Sequence, residues 1–190
     1  MRVVAPNAIA RPRNARTGRF ITTADAEFGF SPICAIGATT VSGSWASAND
    51  PVAVPFRISE ALVVTHLGWR NGSGAGSNHD IGIYDTAWNL LVSSGSTGGS
   101  GSSLWQFVDV TDTPIPPGRY YLTYVVNATT ANRSRYWNNT SSLVLTTVMG
   151  LKETSTDSFP LPSSLSGLMG DPITITRVPI IAFGVKGPLA

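Results

Sequence analysis

Residues 119–126 read Arg-Tyr-Tyr-Leu-Thr-Tyr-Val-Val. Aromatic and β-branched side chains dominate this run, and they fit a pleated, half-buried backbone better than a helix. Pro116-Pro117-Gly118 stands directly before it as a turn signature, with proline presetting φ and Gly118 expected to take a positive φ. Working upstream, His79–Asp85 (HDIGIYD) alternates with period two. Ile81, Ile83 and Asp85 share one face, and Asp80, Gly82 and Tyr84 the other. After a Thr-Ala turn, Trp88–Val92 reads as its hairpin partner.

Further strands are expected over Val52–Ile58, Ala61–Arg70, Leu104–Val110, Arg135–Trp137, Leu143–Val148, Ile173–Val178 and Ile180–Val185. Pro55 marks the first of these as an edge or as the first strand of a sheet. In Leu104–Val110, Leu104, Gln106 and Val108 oppose Trp105, Phe107 and Asp109. No segment sustains apolar spacing at i, i+3, i+4 and i+7, and only 163–169 offers a single helical turn. Short strands separated by polar loops indicate an all-β fold, a single jelly-roll-like sandwich.

The composition narrows the class. The chain has 190 residues, 19 Gly and 13 Pro, with 13% charged and 42% hydrophobic residues. It is therefore neither a polyelectrolyte nor an acidic disordered tail. A single cysteine, Cys34, excludes an internal disulfide framework and a multi-cysteine zinc site. No apolar run reaches the length of a membrane-spanning helix, and no apolar stretch of a secretory signal follows Arg2.

A net charge of +2 conceals an asymmetry. Arg2, Arg11, Arg13, Arg16 and Arg19 fall within the first 20 residues with no acid among them, which leaves eight basic against eleven acidic groups in the other 170. Residues 1–50 carry Pro6, Pro12 and Pro32, many small residues, and isolated apolar anchors at Val3, Val4, Phe20, Ile21, Phe28 and Phe30. They read as an extended N-terminal arm, and residues 51–190 as the β-sandwich. The five arginines and six apolar anchors are the arm's candidate partner contacts. The arginines could meet nucleic acid phosphates. With so modest a charge and no interleaved aromatics beyond Phe20, a protein partner is the favoured reading.

Catalytic chemistry finds little foothold. His66 is in phase with Leu62 and Val64, which assigns it a partly buried structural place. His79 and Asp80 resemble half of an acid–base pair, but neighbours on a strand face opposite ways. The loops 71–78 and 93–103 are Gly/Ser spacers without a phosphate-binding signature. Asp109 with Asp112, and Asp80 with Asp85, lack the spacing of a calcium loop and suit local turn hydrogen bonds. No catalytic residue, metal or cofactor is expected. Trp69, Trp88, Trp105 and Trp137 sit near loop ends and are candidate glycan-stacking rings, with core packing as the competing account. Asn71, Asn127, Asn132, Asn138 and Asn139 stand in N-x-[ST] sequons, expected to be inert where no secretory signal is read.

Asp80–Asp85 (DIGIYD), Leu90–Gly95 (LLVSSG) and Ile115–Leu122 (IPPGRYYL) together resemble jelly-roll modules of tailed-bacteriophage structural proteins. The resemblance covers about 70 residues, departs at the Ser/Gly loop 93–103, and is shared in part by carbohydrate-binding sandwiches. It implies a non-enzymatic virion part, made in the host cytoplasm. No stalk of heptads is present, so the arm favours a capsid decoration (cement) protein on the capsid surface. Such a protein would clamp the major capsid protein and copies of itself as a homotrimer, without nucleic acid or membrane. The alternative is a receptor- or glycan-binding module of a tail or head fibre. A hydrolase would need an acid–base pair set in a cleft.

Overall fold

The computed structural model describes residues 19–22, 39–43, 48–73, 76–128, 134–138, 152–154, 157–170 and 177–186. They contain no helix. Thirteen strands follow in chain order: β1 (Arg19–Thr22), β2 (Thr39–Gly43), β3 (Val52–Ile58), β4 (Leu62–Arg70), β5 (Asn78–Tyr84), β6 (Leu90–Ser93), β7 (Thr97–Gly98), β8 (Trp105–Ile115), β9 (Gly118–Val126), β10 (Ser134–Asn138), β11 (Lys152–Glu153), β12 (Arg177–Pro179) and β13 (Ile181–Lys186).

All pairings are antiparallel. One sheet runs β1-β13-β4-β8, and a larger one runs β11-β3-β9-β5-β6 with β7 alongside β5. A small third sheet joins β12, β10 and β2. The chain crosses from one main sheet to the other at β3–β4, β4–β5, β6–β8 and β8–β9, and stays in one sheet at the β5–β6 hairpin. The all-β sandwich is the fold class that the alternating pattern led one to expect. β3 is flanked by β11 only at Val52 and Ala53, so Pro55 lies on open edge and costs no ladder bond on that side.

Period two explains the core. Val52, Val54, Phe56 and Ile58 of β3, Ile81 and Ile83 of β5, and Tyr120, Leu122, Tyr124 and Val126 of β9 all point inward. They meet Val64, Leu67 and Trp69 of β4 and Ile181, Phe183 and Val185 of β13. Phe56 bridges the layers, its ring 5.0 Å from Phe183 and 5.8 Å from Tyr120. Burial of each such side chain contributes about 1.5–3 kcal/mol.

Two irregularities redirect side chains. β4 carries an extra residue opposite Gly184–Val185, and β8 carries extra residues opposite Val64–His66. Such bulges change which face the following residues present. Val64 points inward and so do Leu67 and Trp69, and this change of parity turns His66 outward beside Asp109 at 3.8 Å. His66 thus has the partly buried place expected of it, but on the face opposite Val64. Buried Thr65 satisfies the kink, its hydroxyl 2.9 Å from His66 Nδ1 and donating to the Gly184 carbonyl at 3.4 Å.

Gly118 also differs from expectation. It is not at positive φ; it is the first residue of β9, paired with Ile58. Its lack of a side chain makes room for Tyr120, whose Oη would stand 3.0 Å from a Cβ there and instead donates to the Pro116 carbonyl at 2.9 Å. The division at residue 50 does not coincide with a break in the hydrogen bonding. Arg19–Thr22 extend the β13 edge, and Thr39–Gly43 pair with β10. Leu143–Val148 and residues 173–176 lie outside the described residues.

On the outer face of the smaller sheet, a Cβ at Gly68 would lie 2.3 Å from the Phe107 ring and 2.8 Å from the Gln106 carbonyl oxygen. Gly68→Ala is therefore expected to destabilise the fold by about 1–3 kcal/mol through overpacking. The measurement is urea unfolding followed by tryptophan fluorescence, and an unchanged midpoint would contradict the close Phe107–Gly68 approach.

Candidate functional site

Among the described residues, the outer face of the larger sheet carries a buried carboxylate, Asp80, and buried Thr123. There Asp80, Gly82 and Tyr84 of β5 lie beside Arg119, Tyr121, Thr123 and Val125 of β9 and Ala53, Pro55 and Arg57 of β3, the face opposite the core-facing set. A strap, residues 157–170, crosses it. Ser158 N–H donates to the Asn49 carbonyl at 2.9 Å near the β3 side, and Leu90 N–H donates to the Ser163 carbonyl at 2.9 Å at the far edge. Leu161 and Leu165 seat against Tyr84 and Val125, with Phe159 and Met169 packed around them. Gly82 permits this, because a Cβ there would stand 3.0 Å from Leu161 and 2.8 Å from Leu90.

Asp80 fastens the strap from beneath. Its carboxylate accepts hydrogen bonds from the Leu161 amide at 2.9 Å, the Ser93 hydroxyl at 2.6 Å and the Ser94 hydroxyl at 3.2 Å. Desolvation raises its pKa above the usual aspartate value against the pull of those three donors. Tyr84 Oη donates to the Pro162 carbonyl at 2.5 Å, and its pKa is raised first by burial and then by the Asp80 charge. Ser93 and Ser94 belong to the loop expected to be an inert spacer. The structure instead gives them this carboxylate.

His79, on the opposite face of β5, is buried in the core. Its ring stacks on Trp69 at 4.9 Å, and its Nδ1 lies 2.7 Å from Tyr124 Oη. It does not meet Asp80, as strand geometry anticipated. Trp69 continues into a polar chain at the loop end. Its Nε1–H donates to Asn71 Oδ1 at 2.9 Å, and the Asn71 amide donates to the Ser100 carbonyl at 2.6 Å and to Gln106 Oε1 at 3.1 Å. Gln106 in turn donates to the Gly98 carbonyl at 2.8 Å. This network zips the two Gly/Ser loops together and fits a structural role.

The four glycan candidates separate. Trp69 is 1% exposed and stacked inside, so it cannot offer a face to a sugar, and that expectation is corrected. Trp105 is half-buried on the outer face of the smaller sheet, its ring parallel to Phe107 within 12° at 5.5 Å, beside exposed Leu104. Trp88 is half-buried and stacked on Tyr121 at 4.2 Å. It holds φ at 67°, a backbone region that large side chains rarely adopt. The turn around it fixes that conformation. Asp85 accepts from the Ala87 and Asn89 amides and from the Asn89 side chain, all within 3.0 Å, and the Asn89 side chain leads in holding its carboxyl below the usual range. Leu165 N–H closes the turn onto the strap through the Trp88 carbonyl at 3.0 Å. Trp137 lies in β10, with its backbone alone described.

Of the arm's candidate contacts, Arg19, Phe20 and Ile21 lie in β1, opposite Val185, Gly184 and Phe183. Arg2, Val3, Val4, Arg11, Arg13, Arg16, Phe28 and Phe30 lie outside the described residues. Among the described residues no group of three His, Cys, Asp or Glu is placed to hold a metal ion, and no helix is long and apolar enough to cross a membrane. Sequence reading missed Arg57 and Arg119, directly opposite each other across β3 and β9. Their juxtaposition follows from strand register, which no local pattern signals. Comparison with family models, curated proteins and solved structures finds no match for the chain.

The Asp80 latch has a definite pH signature. Because its folded pKa is raised, the folded protein binds the proton more readily than the unfolded chain. Stability therefore rises as pH falls through the folded pKa and levels off below the unfolded value near 3.8. Asp80→Asn removes that dependence, so urea midpoints of the two proteins should converge or cross toward acid, with wild type gaining. The opposite slope would contradict the desolvated carboxylate. Asp80→Ala, which strands the Leu161 amide and two hydroxyls, is expected to cost about 1–3 kcal/mol.

Proposed function

We propose that this chain is a non-enzymatic structural protein of a phage virion, a capsid decoration protein that works by adhesion. Its knob is the β-sandwich, and its tether is the basic segment that precedes β1. The observation that carries the reading is the docking of Arg19–Thr22 along β13. That pairing fastens the tether to the knob at a sheet edge, so a pull on residues 1–18 is transmitted directly into the sandwich. The two-sheet winding, with β1-β13-β4-β8 facing β3-β9-β5-β6, supports the jelly-roll resemblance, since a jelly roll places eight strands in two such sheets.

In this reading the partners are the major capsid protein and further copies of this chain, assembled as a homotrimer on the capsid surface. The four arginines ahead of β1 pair with acidic surface, and Val3 and Val4 bury apolar area against it. Several weak anchors per trimer multiply into firm attachment through effective concentration. A second reading, a receptor- or glycan-binding module of a tail or head fibre, is favoured by the half-exposed rings of Trp88 and Trp105.

Deletion of residues 2–18 tests the tether while sparing β1. The shortened protein is expected to keep its Tm and to lose at least tenfold in retention on capsids stripped of the native protein. Full retention would overturn the tether role. Light scattering on the intact chain should return three times the 20.0 kDa chain mass, and a monomer at all concentrations would remove the trimer.

A further inference from the structure

Arg57 of β3 and Arg119 of β9 are cross-strand partners, both exposed and both on the outer face of the larger sheet. Directly opposed like charges destabilise a sheet pair. Among the described residues neither arginine has an ion pair; Asp109 and Asp112 lie on the other sheet beside His66 and Lys186. Asp85, which ends the neighbouring strand β5, is occupied by its own turn. One strand step along the same face lie Pro55 and Tyr121, themselves cross-strand partners, and Trp88 is stacked over Tyr121. The strap's Leu161 and Leu165 reach as far as Tyr121 and Trp88, which pack half-buried against their cluster; beyond them Arg57 and Arg119 are exposed, with Pro55 half-buried between. Two unneutralised guanidinium groups thus adjoin a rigid aromatic platform held at a strained φ.

We propose that Arg57, Arg119 and Trp88 form a binding site for an acidic saccharide, a sugar ring bearing a carboxylate. Two guanidinium groups can receive the oxygens of a carboxylate, which matches their planar forks. The indole receives the C–H face of the ring. A uronic-acid residue carries both features within one unit, whereas a protein segment would have to bring an acidic and a flat apolar side chain together. The inference does not depend on the capsid reading, because it concerns the sheet face opposite the core and not the tether.

Titration calorimetry of the full chain with tetragalacturonate at low salt tests it. Binding is expected, weakened at least tenfold in Arg57→Ala, Arg119→Ala and Trp88→Ala, and absent for the fully methyl-esterified tetramer. Arg119→Glu is the sharper variant: it replaces the repulsive pair by an attractive one, so Tm should hold or rise while binding disappears. That combination separates a binding role from a structural one even where Trp88→Ala loosens the strap. Equal binding of tetraglutamate or inorganic phosphate, with Trp88→Ala without effect, would overturn the saccharide assignment in favour of bare charge recognition. Loss of binding on deletion of residues 2–18 alone would assign the interaction to the tether and overturn the site. No binding to tetragalacturonate would overturn it outright.

Discussion

The Asp80 carboxylate lies on the outer face of β5 with its charge withdrawn from water, and three donors reach it from two separate segments. Two come from the last residue of β6 and the one after it, and one from the strap. A buried carboxylate left without them would be a heavy liability, so the group effectively requires both segments to be in place. That requirement determines how the larger sheet is finished. β5 and β9 have apolar side chains on both faces, and a single facing sheet can cover only one. The strap supplies the second cover with little apolar weight of its own, chiefly Leu161 and Leu165, and so depends on polar fastening for its position. Past Tyr121 and Trp88, which pack against the strap's leucines, the sheet returns to solvent at the exposed Arg57 and Arg119.

The smaller sheet solves its outer face differently. It has no strap among the described residues; its irregularities determine what is shown. The bulge at Thr65 turns His66 out toward Asp109, and the missing side chain at Gly68 lets Phe107 lie close to the backbone, with Trp105 parallel to it. Lys186 and Asp112 meet at 2.8 Å nearby, an exposed pair of small energetic weight. The two outer faces are therefore unlike in kind. One is partly roofed and positively charged at its open end, and the other is a mixed surface with half-buried rings.

What the chain revealed beforehand was whatever a period of two can encode. His79–Asp85 alternates, and the structure places Ile81 and Ile83 in the core with Asp80 and Tyr84 on the other face as read; Val52–Ile58 is a strand with the bounds expected. The failures fall where geometry departs from that period. His66 is partly buried as read but out of phase with Val64, because one inserted residue reverses the alternation, and Gly118 differs because a glycine after two prolines signals a turn equally well when its purpose is to clear a tyrosine ring. The strap was invisible: Ser158 to Met169 has no repeat, and its meaning lies in what it covers. β1 was hidden for a related reason, since a four-residue edge strand inside a proline- and alanine-rich stretch carries too little pattern to stand apart from extended coil. Trp69 and Trp88 looked alike in sequence, and only burial distinguishes a core ring from a partly open one.

Charge is the property in which sequence and structure complement each other most. The split between a basic start and a mildly acidic remainder can be counted, yet it hides the more specific fact that two arginines of the acidic remainder are opposed across adjacent strands. The eleven acids could in principle have neutralised them. Four of those described are committed elsewhere, Asp80 to the strap, Asp85 to its turn, Asp109 to His66 and Asp112 to Lys186, and exposed Glu60, just past the end of β3, makes no ion pair with either arginine. A fold arranged for stability alone gains by moving any one carboxylate beside Arg57 and Arg119, since an opposite-charge pair is worth about 0.2–1 kcal/mol over a neutral one. Leaving the pair open forgoes that gain at the same end of the sheet where a tryptophan is held at an unfavourable φ. Two independent departures from the most stable arrangement, adjacent on one exposed surface, are the pattern expected where stability yields to the binding of a ligand.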